Sequence, residues 1–477
     1  MGNELREHRL RNLRRLQELG YEPYGEAFSR TGNLGLVRAR PEGDEVHIAG
    51  RMVSRREMGG SIFAHLQDAS GRLQIYLKRD QVGTDAFSAF RILDLGDIIG
   101  VEGQLFVTRT GEKTVKVSSW RLLSKSLLPL PEKWHGLQDV EIRYRRRYLD
   151  IISNPGVADV FTARSRILRR VRQVLDSEGY QEVETPILQP MAGGAAARPF
   201  RTHCEALGRA LYLRIAPELY LKRLLVAGFD RVYELSRNFR NEGISRQHNP
   251  EFTMLELYEA YADVNRMKVM AQMIVVECAR ELHGEAKVRL HGGGVLDLSP
   301  PWPEIPFREL VWQVAGDDWF TLSVEEARRR AESLGLTVPA EWGRSEITQE
   351  IFEKLVERRL MRPTFVTSLP ADLVPLAKCS ANDPETADVF ELVIGGMEIA
   401  PAYSELNDPL EQRRRFEQQC GGDASRVDED FLNALEYGMP PAGGMGIGID
   451  RLTMILTGAD SIREVILFPL LRSGSDR

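Results

Sequence analysis

Apolar and polar positions along the chain change rhythm several times, and each change marks an element. Residues 3 to 19 place Leu5, Leu10, Leu13 and Leu16 in a helical stripe with Arg and Glu elsewhere, which predicts a basic amphipathic helix. Such a helix suits packing on the next domain or contact with nucleic acid. Residues 20 to 45 are rich in Gly, Pro and Arg and read as a connector. From Val46 to Leu123 strand signals recur with turns between them: VHIAGRMVSRR, SIFAHLQDASGRLQIYL and DIIGVEGQLFVTRTGEKTVKVSSWRLL. Ser70-Gly71 and Thr110-Gly111 fall at hairpin positions. About five strands with a helical interval near Gln81 to Leu93 suit a small OB-fold barrel, a common binder of single-stranded nucleic acid.

Leu127 to Gly136, LLPLPEKWHG, contains two prolines and reads as an interdomain linker. The expected organisation is a helix and connector over 1–45, the barrel over 46–126, a linker over 127–140 and a second domain over 141–477. In the second domain strands and helices alternate without a strict βαβ repeat, which favours an α+β domain over a doubly wound fold. Neither internal repeats nor low-complexity tracts occur.

The stretch Tyr233 to Ala260, YELSRNFRNEGISRQHNPEFTMLELYEA, reads as two apolar-rich strands joined by a polar loop, Asn241 to Pro250. Period-2 alternation puts Phe252, Glu256 and Tyr258 on one face of the returning strand, and Thr253, Leu255 and Leu257 on the other. The first strand ends at Arg240 and the loop carries Glu242. A guanidinium, an aromatic ring, a carboxylate and a phenol thus converge on one surface. That set suits a nucleotide: Arg for a phosphate, Phe for a base, an acid for an amine or a metal.

Composition bounds the remaining choices. The chain has 477 residues, 43% hydrophobic and 28% charged, as in ordinary globular enzymes. No apolar run approaches the ~20 residues needed to cross a membrane, and the charged N-terminus lacks the apolar core of a secretory signal. Cys204, Cys278, Cys379 and Cys420 lie far apart without CxxC pairs, so neither a zinc site nor a disulfide framework is indicated and a reducing cytoplasm is the natural location. A net charge of −6 argues against a protein coated in basic residues for indiscriminate nucleic-acid binding, although local basic faces matter more than the total. One local cluster runs from Arg143 through Arg145, Arg146 and Arg147 to Tyr148, and reads equally as a basic face for nucleic acid and as a solvated helix face or interdomain contact.

The Tyr233–Ala260 stretch resembles the second signature motif of class II aminoacyl-tRNA synthetases in its lysyl form (FRNEG…HNPEFT…ELY). Gly444 to Leu456, GMGIGIDRLTMIL, resembles the third motif, and Arg164 to Pro186, a helix running into a strand that ends EVETP, fits the first. The resemblance runs from Val46 to Phe468. Neither a GxxxxGK[ST] phosphate loop nor the class I signatures HIGH and KMSKS is present. The resemblance implies a class II catalytic domain built on an antiparallel sheet flanked by helices, behind a five-stranded OB-fold barrel that binds the anticodon.

Amino-acid activation is an in-line attack of a carboxylate on the α-phosphorus of ATP. Both reactants are anionic, so the protein must neutralise charge and align them, without a general base. The resemblance implies Arg240 at the α-phosphate and the amino-acid carboxylate, and Arg451 at the distal phosphates. Phe252 would stack on adenine, with Glu242, His248 and Asn249 helping to hold the nucleotide. Glu391 and Glu398 would hold Mg2+ beside the phosphates, Glu391 also touching ATP. Glu218, Glu256 and Glu405 match an acidic pocket suited to the two ammonium groups of L-lysine, with Tyr258 and Tyr403 along the stem. Gly193 and Gly194 would let a loop close over the reactants. On the barrel, Arg56, Phe63, Gln74 and Glu112 match anticodon-binding positions. The implied protein is a cytoplasmic homodimer joined through Arg164–Pro186 that charges tRNA(Lys).

One departure from the family pattern stands in Glu398-Ile399-Ala400-Pro401-Ala402-Tyr403, where an Asn that helps bind the amino acid is replaced by Pro401, with no side-chain polar group and no backbone N–H. Met397 stands where a basic residue is common. Alternatives within the class are a ligase for a lysine analogue or one that lysylates another acceptor. A different class is a catalytically silent nucleic-acid-binding regulator; the presence of Arg240, Glu242, Phe252 and Arg451 speaks against it.

Overall fold

The computed structural model describes residues 2–131, 137–154, 156–195, 197–290, 293–419 and 427–471. Glu132 to Gly136 of the expected linker, and Cys420, lie outside these. The chain forms two compact units, Met1–Ala158 and Asp159–Arg477.

In the first unit five strands close into a barrel in the order β1-β2-β3-β5-β4: β1 (Glu45–Met58), β2 (Ser61–Asp68), β3 (Gly71–Lys78), β4 (Ile98–Val107) and β5 (Lys113–Ser124). Strand alternation turns Val46, Ile48, Ile62, Leu66, Ile75 and Leu77 inward, where all are buried. Long β1 serves two neighbours, pairing Ile48 with Val101 of β4 and Arg55 with Ala64 of β2, and a bulge between Met52 and Ser54 bends it from one to the other. The expected basic helix is α1 (Gly2–Glu18). It is docked by Leu16, fully buried, and by Arg9, which donates to the carbonyls of Leu95, Ser126 and Leu128 at 2.9–3.1 Å. The connector contains an unpredicted helix, α2 (Leu34–Arg38), capped by Asn33 Oδ1 accepting the Leu36 N–H at 2.9 Å. The helical interval between β3 and β4 is α3 (Arg79–Val82) and α4 (Thr84–Phe90), whose Phe87 and Phe90 enter the barrel core.

The arginine cluster forms α5 (Val140–Arg145) and α6 (Arg147–Ser153). Arg143 and Arg147 both pair with buried Asp150, at 2.8 and 2.7 Å, and Arg145 pairs with Glu141 at 2.6 Å. Three of its charges are therefore spent within this helix pair.

The second unit is built on an eight-stranded sheet, β14-β15-β16-β17-β18-β11-β10-β6. In chain order its second-unit strands are β6 (Gln181–Glu182), β7 (Leu188–Gln189), β8 (Arg201–Cys204), β9 (Arg209–Leu213), β10 (Arg231–Phe239), β11 (Glu251–Ala260), β12 (Lys287–Arg289), β13 (Val295–Asp297), β14 (Glu304–Pro306), β15 (Thr364–Thr367), β16 (Val389–Ile394), β17 (Met397–Ser404) and β18 (Ala442–Gly448); β7, β9 and β8 make a small separate sheet. The expected antiparallel pairing holds from β15 through β10, but the edge pairs β14–β15 and β6–β10 are parallel. Helices α7 (Val157–Ser177) and α9 (Val264–His283) share a core with Leu255 and Leu257 of β11. On the other face Tyr258 packs with Leu221 and Leu225 of α8 (Glu218–Val226). The alternation in β11 thus commits its odd positions to the core and its even positions to the site.

Candidate active site

The β10–β11 hairpin is in register from Arg231–Glu259 to Phe239–Glu251, and the Arg240 N–H donates to the Pro250 carbonyl at 2.9 Å to close the loop. This brings Arg240 over Phe252, guanidinium carbon 5.1 Å from the ring centroid, a cation–π contact. Arg451 lies in the first turn of the helix Ile449–Thr457 that follows β18. Its guanidinium donates to the Glu398 carbonyl at 2.8 Å, meets the Glu398 carboxylate at 3.2 Å and reaches His248 Nε2 at 3.1 Å. Burial and the Arg451 charge push the His248 pKa down, so the ring is neutral, Nε2 accepts from Arg451, and Nδ1–H faces Ser245 Oγ at 2.8 Å. Arg240, Glu242, His248, Phe252, Glu398 and Arg451 line one cavity of about 240 Å³. Asn249 also lines it, but its amide N–H donates to the Glu251 carbonyl at 2.6 Å, shaping the loop.

Glu398, in the wall of this cavity, interacts electrostatically with three further carboxylates, Glu353, Glu357 and Glu391. Glu357 accepts the Glu398 N–H at 2.6 Å and is pushed up to about 7, chiefly by burial. Burial and the charges of Glu398, Glu357 and Glu353 hold Glu391 well above the usual carboxylate range. Arg451 opposes Glu357, Glu391 and Glu398. Excess negative charge on hard oxygen donors fits a divalent cation such as Mg2+. Among the described residues no group of three His, Cys, Asp or Glu side chains is placed to hold an ion alone, so Glu391 and Glu398 would need oxygens from elsewhere.

The acidic pocket contains a residue that sequence reasoning missed. Lys222, one turn after Glu218 on α8, lies 2.6 Å from Glu218 and 2.5 Å from Glu405, and none of the three exceeds 6% exposure. Glu256 accepts the Tyr258 hydroxyl at 3.2 Å and is pushed up to about 8 by burial and by Glu218, against the pull of Arg240. Burial raises Glu405 as well, against the attraction of Lys222. Tyr403 feels both carboxylate groups: Glu218 and Glu405 on one side, Glu391 and Glu398 on the other. Two glycines make the pocket possible. A Cβ on Gly444 would lie 2.0 Å from Glu405 Oε1 and 2.5 Å from the Tyr258 ring. Gly194, at φ +85°, approaches Glu218 where a Cβ would stand 3.2 Å from that of Glu218.

On the barrel, Phe63 packs against Tyr76, ring centroids 4.7 Å apart, and Tyr76 against Phe106 at 6.0 Å. Gln74 donates to Glu112 at 2.7 Å. Arg56 is exposed and in register with Phe63, whereas neighbouring Arg55 turns back to the Arg91 and Leu93 carbonyls.

Residues 139–472 match the class II tRNA synthetases of the D, K and N type, and residues 46–123 match the OB-fold nucleic acid binding domain. The chain belongs to the class II tRNA synthetases. Within that family it is 53% identical to the lysine–tRNA ligase of Pelotomaculum thermopropionicum, over 98% of this chain and 95% of that one. It is 53% identical to the lysine–tRNA ligase of Moorella thermoacetica over 98% of both chains, and 47% identical to that of Staphylococcus saprophyticus over 98% and 99%. In this class II synthetase Pro401 lines the Arg240–Arg451 cavity and is in register with Glu391 across β16 and β17. Its signal was visible in the sequence; that of Lys222 was the Glu-x-x-x-Lys spacing on α8. Glu357 gave no signal, because the contact with Glu398 joins segments far apart in the chain.

Proposed function

We propose that this protein activates L-lysine with ATP to lysyl-adenylate and transfers the lysyl group to the 3′ end of tRNA(Lys). The observation that carries this reading is a buried acidic set, Glu218 and Glu405 sharing Lys222 and Glu256 near enough to feel Glu218, beside a cavity lined by Arg240 and Arg451. With Glu256 ionised, as a bound cation favours, three carboxylates and one ammonium leave two negative charges, which match the two ammonium groups of lysine. An amino acid with an anionic side chain would be repelled there.

Arg240 neutralises the α-phosphate and the amino-acid carboxylate as they approach; Phe252 offers its ring to the base; Arg451 and His248 hold the distal phosphates. Such fixed cations act chiefly by stabilising developing charge in a water-poor site. Mg2+, held by Glu391 and Glu398, would supply further neutralisation of phosphate oxygens. The barrel takes the anticodon through Arg56, Phe63, Gln74 and Glu112. The working form is a cytoplasmic homodimer; no described helix is long and apolar enough to cross a membrane.

Pyrophosphate exchange across a panel of amino acids and lysine analogues, followed by tRNA charging, tests the reading. Lysine is expected to drive exchange best. Because Pro401 brings no polar side chain to the cavity wall, a clear preference for an analogue would keep the chemistry and replace the substrate.

A further inference from the structure

His65 was not among the residues expected to touch nucleic acid, yet it stands at the centre of a polar chain across the barrel surface. Ser54 Oγ lies 2.8 Å from His65 Nδ1, and His65 Nε2 lies 2.8 Å from Glu112 Oε1. Gln74 Nε2 donates to Glu112 Oε2 at 2.7 Å, and Thr114 Oγ1 donates to Gln74 Oε1 at 2.8 Å. The carboxylate of Glu112 only accepts, so Nε2 carries a hydrogen towards it. Thr114 in turn fixes which way the Gln74 amide points, which leaves one amide N–H of Gln74 beside the remaining lone pairs of Glu112.

Glu112 needs such support. It sits in the β4–β5 turn, just before β5 begins, and its side chain is 45% exposed. The cavity it lines, about 340 Å³, also has Arg38, Arg72 and Lys113 in its wall. A loop carboxylate among three cations has several competing orientations, yet here its Oε1 is held by the hydrogen bond from His65 Nε2, at 2.8 Å. Reading an unpaired base along its edge demands one fixed set of donors and acceptors.

We propose that His65 is a positioning residue for tRNA recognition, holding Glu112 and through it Gln74 in the single arrangement that reads the base. The inference rests on the reading that this barrel face binds unpaired bases of tRNA.

The test compares tRNA charging with tRNA-independent pyrophosphate exchange in the full-length protein. His65→Ala is expected to raise the KM for tRNA about tenfold and to narrow the discrimination against tRNA with substituted anticodon bases, with exchange unchanged. His65→Gln, which keeps an N–H donor, is expected to restore most of both. In an Glu112→Ala background His65→Ala should have no further effect, because it acts through Glu112. An unchanged KM and discrimination in His65→Ala, or an equal loss with and without Glu112, overturns the inference. Phe63→Ala separates the two levels. If it impairs charging while His65→Ala does not, the positioning role alone fails; if neither impairs charging, the barrel reading fails with it.

Discussion

At the scale of single residues, Lys222 changes what the acidic pocket is. Glu218 and Glu405 are not bare carboxylates awaiting a ligand, since both already share one buried ammonium. Glu405→Gln would leave Lys222 opposed by Glu218 alone and reduce the pocket by one charge. Breaking one side of a buried pair typically costs about 3–5 kcal/mol, so the lysine requirement should rise at least about a hundredfold while ATP binding changes little; titrating exchange with each substrate separates the two. Glu256, pushed up to about 8 by burial and Glu218, is mostly protonated at neutral pH without substrate. Its folded pKa lies above the ordinary 4.5. The stability it contributes is therefore present below pH 4.5 and lost as pH rises towards 8. Lysine binding has the opposite sign, because a cation favours the ionised carboxylate. Affinity for lysine should rise from pH 6.5 towards pH 8 by up to about tenfold per unit, with a proton released. Calorimetry in buffers of different ionisation enthalpy reads that proton, and none released at pH 7 would mean Glu256 is already charged. Arg240→Ala should lower exchange by about 10²–10³-fold in a folded protein, and near-normal exchange would remove it from the chemistry.

At the scale of elements, the three motif segments are tied by one residue. Asp450 accepts the Thr253 N–H of β11 at 2.7 Å and pairs with Arg164 of α7 at 2.5 Å, while Arg164 also donates to Thr253 Oγ1 at 2.9 Å. Asp450 is the neighbour of Arg451, and Thr253 of Phe252, and both knot residues line the cavity, so the knot sets its walls. Asp450→Ala removes a buried pair and should cost about 3–5 kcal/mol, read as a lower denaturant midpoint together with impaired exchange. A normal midpoint would show the knot to be dispensable. The hairpin, the barrel strands and α1 were legible because each is long enough to show its period and is bounded by turn residues. Helix α2 spans five residues and β6 two, too short for any periodicity, and their places are set by the core they join. The parallel edges of the sheet were illegible for the same reason. Of the site, Phe252, Glu256 and Tyr258 followed from the phase of β11, whereas Arg451, His248 and Glu398 followed from the resemblance of their motifs to the family. Lys222–Glu405 and Glu357–Glu398 did not, because they join distant segments and leave no local pattern.

At the scale of the whole molecule, the proposed homodimer makes the last prediction. The polar positions of α7 are largely satisfied inside the chain: Arg166 pairs with Glu281 at 3.0 Å, and Arg172 of the same helix with Glu182 at 2.9 Å. Immediately after the first-motif segment, Ile187 and Leu188 are 43% and 50% exposed, and Leu207, between β8 and β9 of the same small sheet, is 60% exposed. Single exposed apolar side chains are ordinary, but three on the small sheet and its flanking segments, next to the expected subunit interface, suit burial against a second copy. A twofold contact would use each of them twice, so one substitution acts at two places. Leu188→Lys should therefore place two buried charges in the dimer and weaken association by about a hundredfold or more, while the isolated chain loses little, because Leu188 is half exposed there. Sedimentation of the wild type should show a dimer, and the variant should dissociate on dilution and lose exchange with it. An active wild-type monomer at dilute concentration would end the dimer proposal. A variant that stays dimeric would move the interface away from this sheet.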